Sequence, residues 1–212
     1  MIKRIWLLKA ASTGGLAAEV SAPGPARPVR ATIAPVLREL TPDAPYDAIG
    51  LAWFRDREHL ALFDDRWDSR TNDDVTLAAT EQVKRGADWL TGHWDRHDVA
   101  FKHMAFARRA AGLSREQFSE RWSAHAGRVG TTVIPEPVKG MAYVQNHPLV
   151  TARDGEPAYD AVNEVYFTDL DGLAARVRWF ADSASDPAPG GVEADLFQEN
   201  WFLAVREELL AD

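Results

Sequence analysis

The chain contains no cysteine. That removes disulfides, a thiolate nucleophile and any Cys-ligated zinc or iron–sulfur centre, and it fits a reducing interior. Long apolar runs are missing as well. The N-terminal stretch MIKRIWLLKA starts basic, but its apolar core is only Ile5 to Leu8 before Lys9 interrupts it. A secretory core needs roughly 7–15 such residues and a membrane span ~18. The sequence therefore reads as cytoplasmic, with no membrane partner. Surplus positive charge is absent too: 24 Lys+Arg stand against 32 Asp+Glu, a formal net charge of −8. Nothing is available to replace phosphate counterions, so nucleic acid is not an expected partner. No G-x-G-x-x-G, P-loop or G-x-S-x-G motif occurs. Gly14-Gly15 and Gly190-Gly191 lack the required flanks and read as loops. No cofactor is expected.

What is present is 212 residues, 46% hydrophobic and 26% charged, enough for one large domain or two of about 100 residues. The C-terminal half is the more legible. Alternation over Phe101–Arg109 predicts a strand with His103, Ala105 and Ala107 on one face. Ser114 and Gln117 form a capping-box pattern, with Leu113 and Phe118 placed as a hydrophobic staple. Phe118, Trp122, His125 and Val129 then follow at helical spacing. Strands are predicted at Lys139–Leu149, Tyr159–Phe167 and about Asn200–Glu207. A helix capped by Asp169 carries Leu173, Val177 and Phe180. The order β-α-β-β-α-β is that of a ferredoxin-like unit.

The N-terminal half repeats this grammar imperfectly. Ile2–Ala10 lines up with the strand at 101–109 at an offset of 99, and Tyr46–Asp56 with Tyr159–Asp169 at an offset of 113. Ala87–Trp94 resembles Ala194–Trp201. Ser12–Pro28, rich in Gly, Ala and Pro, reads as a damaged first helix, and Asp74–Arg85 as an extra helical stretch. The expected fold class is α+β: two fused ferredoxin-like units, a degenerate one at 1–99 and a fuller one at 100–212, closing an intramolecular dimeric α+β barrel. Such an internal pseudo-dimer is expected as a monomer or a homodimer.

LSREQFSERWSAHAGRV (113–129), YVQNHPL (143–149) and YDAVNEVYF (159–167) together resemble the EthD family of dimeric α+β-barrel proteins. The resemblance covers about 101–210 closely and parts of 1–99. It implies a barrel around an apolar small-molecule site. Related families are cofactor-free polyketide cyclases, small monooxygenases, muconolactone-type isomerases and haem-binding peroxidases. Fold alone does not choose among them.

The candidate catalytic residues are His103, His147, Tyr143, His125 and Glu164. His103 faces the small side chains of Ala105 and Ala107, which leave room before an imidazole; a core histidine is the plainer reading. His147 shares a strand face with Tyr143, whose hydroxyl suits carbonyl polarisation, and with Gln145. Trp122 reads as core, and His125 as a residue of the barrel mouth or a helix end. Glu164, inside a strand, needs water, a partner or a polar cavity. Facing the cavity of His103, it would orient that base. The first-half counterparts are Arg4 for His103, Gly50 for Asn163 and Leu51 for Glu164, so the polar groups gather in the second half. His93, Asp95 and His97 would share a face if their segment were a strand, a spacing compatible with a divalent metal. An edge or linker segment is the preferred reading, and no metal site is expected.

These residues lead to an expected function. The protein is read as a cofactor-independent enzyme acting on an aromatic or polyketide-like compound by His-assisted proton transfer: cyclisation, dehydration or isomerisation. The alternatives are cofactor-free oxygenation in the same pocket, or a non-catalytic small-molecule-binding accessory protein.

Overall fold

The structure is a computed structural model that describes residues 1–67, 74–124, 128–129, 132–151, 153–184 and 196–211. Strand β1 (Ile2–Leu8) leads into helix α1 (Ala10–Ser21), β2 (Arg30–Pro35), β3 (Ala48–Phe54), α2 (Arg57–Arg66), β4 (Val75–Arg85) and α3 (Ala87–Arg96). Then come β5 (Ala100–Arg109), α4 (Arg115–Ser123), the short pair β6 (Arg128–Val129) and β7 (Thr132–Val133), and α5 (Glu136–Lys139). The chain ends in β8 (Ala142–Pro148), β9 (Ala161–Phe167), α6 (Leu170–Ala184) and β10 (Phe197–Ala211).

Eight strands close a barrel in the order β1-β3-β2-β10-β5-β9-β8-β4, and β4 returns to β1. Every neighbouring pair is antiparallel. This corrects the expected α+β class of two ferredoxin-like units forming a dimeric α+β barrel. The fold is a closed antiparallel β-barrel with helices on its outside. The ladders β2–β10 and β4–β8 run across the division at residues 99 and 100, so neither half keeps a sheet with edges of its own. Closure is what satisfies those edges. Alternation along a strand reveals its two faces but not its neighbours, which is why the sequence pattern misled.

Three local expectations are corrected as well. Asp74–Arg85 is no helix: Leu77 and Ala79 alternate into the barrel as part of β4. Ala87–Trp94 is α3, entered through Gly86 at φ 77°, where a Cβ would meet the Met141 carbonyl at 2.3 Å. On a helix His93 and Asp95 point to different sides, and His97 follows the helix end, so the proposed shared face disappears. Finally, Ala10–Ser21 is an intact helix whose Ser12, Leu16 and Val20 form a buried face at i, i+4 and i+8.

The barrel interior is filled from both halves, by Ile5, Leu7, Ile49, Leu51, Leu77, Met104, Phe106, Leu203 and Val205. Outside, α1 and α2 cover β1 and β3 through Leu16, Val20, Leu60 and Phe63. Phe118 and Trp122 of α4 lie over Ala107 and Ala161, and Leu173 of α6 lies over Val165 and Ala204. The capping box of α4 forms, with the Gln117 amide N–H donating to Ser114 Oγ (3.2 Å) and the Ser114 N–H to Gln117 Oε1 (2.9 Å). Among the described residues, no helix is long and apolar enough to cross a membrane.

Candidate functional site

Strand alternation sends the sequence-predicted residues to two different places. Glu164 faces the barrel interior, whereas His103, Tyr143 and His147 lie on the outer surface of β5 and β8. His103 is registered with Val165, and Met104 with Glu164, so the imidazole and the carboxylate are on opposite faces of the sheet. The proposed His103–Glu164 pair does not exist.

Glu164 instead belongs to a buried ion cluster. Its carboxylate accepts from Lys3 Nζ (2.6 Å), Lys102 Nζ (2.8 Å), Asn146 Nδ2 (2.8 Å) and the Tyr166 hydroxyl (2.9 Å). Lys3 also pairs with Glu81, and Lys102 with Glu207, which accepts from Thr32 Oγ1 at 2.7 Å. Burial alone would raise the Glu164 pKa, but the ammonium groups of Lys102 and Lys3 outweigh it and hold the carboxyl well below its usual range. Tyr166 is pushed well above its ordinary value by burial and by Glu164. An ionised carboxylate under two ammonium groups is a poor base. The cluster ties β1, β2, β4, β5, β8, β9 and β10 together. At one end of the barrel, His93 of α3 stacks on Trp89 (5.0 Å), and burial and the Lys102 charge push it down to about 4.

The outer face of β5, β8 and β9 is different. Helices α4 and α6 cover its two ends, and between the positions they cover lies a partly exposed strip, the slot. The slot floor is Ala105 and Asn163 on adjacent central strands, with Tyr143 beside them on β8. All three remain partly exposed, although positions in the middle of a helix-covered sheet are ordinarily sealed. The Tyr143 hydroxyl donates to Asn163 Oδ1 (3.0 Å) and accepts from Gln145 Nε2 (3.0 Å). Gln145 Nε2 also donates to the Trp122 carbonyl at 3.0 Å. Burial pushes Tyr143 up to about 12, so it stays a neutral hydrogen-bond donor at ordinary pH.

His103 lies between the rings of Phe202 (4.6 Å) and Phe180 (5.0 Å), near-parallel to both. Neither ring nitrogen has a hydrogen-bond partner among the described residues. Burial, then the nearby Arg176 charge, push its pKa well below 6.5, so the imidazole is neutral. His147, at the α4 end, contacts Ser119 Oγ through Nδ1 (3.0 Å) and lies against Trp122, with Nε2 buried and without a partner among the described residues. Burial lowers its pKa too. By register, His103 and Tyr143 both lie level with Val165, two strands apart, or about 10 Å. His147 is four residues further along, roughly 16 Å from His103. The two histidines cannot act on one reacting centre. His125 lies outside the described residues.

Sequence reading passed over Arg176, Phe202 and Ser119. The signal for Arg176 was available: it sits at i+3 from Leu173 on the face that also holds Val177 and Phe180, a charge inside an apolar stripe. No protein-family model matches this chain, and no curated protein matches its sequence.

Proposed function

We propose that the protein is a cofactor-independent enzyme that transfers a proton on a flat, apolar small molecule bound in the slot between α4 and α6. The observation that carries this reading is the pairing of an unpartnered, neutral His103 with the protonated Tyr143 across a partly open floor of Ala105 and Asn163. His103 takes a proton from carbon next to a carbonyl. The C–H electron pair moves into the carbonyl, and Tyr143 turns its one hydroxyl proton from Asn163 Oδ1 to the resulting enolate oxygen. Returning the proton to a different atom isomerises the substrate; attack of the enolate on a second carbonyl cyclises it, and the alkoxide so formed takes the proton back from His103. The other histidine, His147, sits at the far end and lines the site rather than sharing the chemistry. The likeness of residues 113–167 to EthD sequences is compatible with this proposal but does not carry it.

The test is deuterium wash-in at the α-carbon of 2-tetralone, followed by NMR. His103→Ala and Tyr143→Phe should each slow the protein-catalysed exchange by about 10²-fold, the usual contribution of a positioned acid or base, with the circular dichroism spectrum unchanged. Exchange that is equal in wild type, His103→Ala and His147→Ala would end the mechanism. A second reading, a binding protein without chemistry, is favoured by the closure of Phe180 and Phe202 over His103, which must part before a ligand reaches it. It predicts ligand-induced stabilisation with no exchange.

A further inference from the structure

Arg176 occupies a core-facing position of α6 and is 5% exposed. A guanidinium so deeply buried is ordinarily matched by a carboxylate. Here one N–H donates to the Val138 carbonyl (2.7 Å), the group lies over the Phe180 ring (4.7 Å), and Nε has no partner among the described residues. No carboxylate pairs with it among the described residues. The charged or titratable neighbours that act on it are Tyr143 and Arg85, and Arg85 is itself a cation. Burial pushes the guanidinium down to about 9, the mark of a charge held without compensation. Its charge is also felt by His103 and Tyr143, so it stands at their end of the slot.

Elsewhere the same chain shows how it neutralises a buried arginine. Arg4, 1% exposed, is held by Asp64 (3.0 Å) and by Asp154. Capping the Val138 carbonyl needs one donor and no charge, and a neutral side chain would serve. The Nε donor has no partner and the positive charge no carboxylate among the described residues.

From the unneutralised Arg176 beside Tyr143 and His103, we infer that the slot's ligand is an organic acid, an aromatic or polyketide-like carboxylate whose anionic end pairs with the Arg176 guanidinium. This rests on the slot being the binding site, as proposed above. Charge pairing sets the substrate's orientation: the carboxylate lies at the α5–α6 end, and the apolar body extends over Ala105 and Asn163 toward Trp122. A planar two-donor fork is suited to a carboxylate, which identifies Arg176 as a specificity residue rather than a base.

The test compares 2-naphthoate with its uncharged analogue 2-naphthamide by calorimetric titration of the full chain. Wild type should bind the acid at least about tenfold more tightly than the amide, as expected for a charge-assisted pair. Arg176→Gln should bring the acid down to the amide's affinity and leave the amide unchanged, with Arg176→Lys in between. Ala105→Trp should abolish both by filling the floor. Equal binding of acid and amide in wild type, blocked by Ala105→Trp, would overturn the role of Arg176 and keep the slot. Binding of both that Ala105→Trp does not disturb, or no binding of either, would overturn the slot and this inference together. A parallel loss of acid and amide in Arg176→Gln would make Arg176 structural, and thermal melts of the Lys variant would confirm that reading.

Discussion

The two outer faces of the barrel solve the same problem in opposite ways. Over β1 and β3 the covering is complete: Leu16 of α1 lies so close to Gly50 that a Cβ there would meet its Cδ2 at 2.2 Å, and Trp6 packs among Phe63 and Trp67. Over β5 and β9, the sequence counterpart of Gly50 is Asn163, which stays partly exposed and bonds to Tyr143. The counterpart of His103 is Arg4, whose charge is fully taken up by two aspartates. One face spends its polar groups on structure. The other leaves a buried guanidinium, Arg176, with no carboxylate among the described residues and both His103 nitrogens without a hydrogen bond, a cost tolerated where a ligand completes the set.

The largest expected effect breaks this contrast through the two buried arginines. Arg4→Met removes the guanidinium that pairs with the half-buried Asp64 and with Asp154 and should cost about 3–5 kcal/mol in urea unfolding. Arg176→Met abandons no carboxylate and should stay within about 1 kcal/mol, the worth of its bond to the Val138 carbonyl. Equal losses would erase the distinction between the faces. Next comes packing: Gly50→Ala forces Leu16 to move and should destabilise by about 1–3 kcal/mol. Asn163→Ala, at a partly exposed position and losing one hydrogen bond from Tyr143, should cost about 1 kcal/mol or less.

The smallest effect is in pH dependence. The folded-state pKa of His103 is depressed below 6.5. Its stabilising contribution is therefore complete above that value and falls as pH drops, because the unfolded chain binds the proton first. The loss cannot exceed about 1.4 kcal/mol per pH unit for one group. His103→Phe should flatten the stability profile just below pH 6.5, read by urea unfolding across that range.

Much of the second half was legible because its signals are local. The capping box at Ser114 and Gln117, the alternation from Phe101 to Arg109 and the stripe Leu173–Val177–Phe180 each declare an element within a dozen residues. Barrel closure was not legible, since the β2–β10 ladder joins residues about 175 positions apart and no local pattern encodes it. Asp74–Arg85 misled for a related reason: Leu77 and Ala79 are the buried apolar residues of its inward face, and from Glu81 on the strand is mostly polar, with Val83 exposed. At the site, alternation within one strand was legible, with His147 beside Tyr143 and Gln145 and with Glu164 opposite Ala161 and Asn163, but the expected facing of His103 and Glu164 across two strands was not, because register decides it. That Glu164 would be bound by Lys3 and Lys102 depended on strands brought together only by the fold.

The ladder between β2 and β10 also fixes an order of events. During synthesis β1, β3 and β4 can find one another early, but the free edge of β2 has no partner until Phe197–Ala211 has been made. Through most of translation the chain therefore carries an open strand edge and an incomplete barrel, with Thr32 lacking its acceptor Glu207. Pairings of such long sequence separation are slow to form, and exposed edges are where chains join one another wrongly. The last strand is the latch of the barrel, and shortening it should show first as aggregation of newly made protein rather than as lost binding.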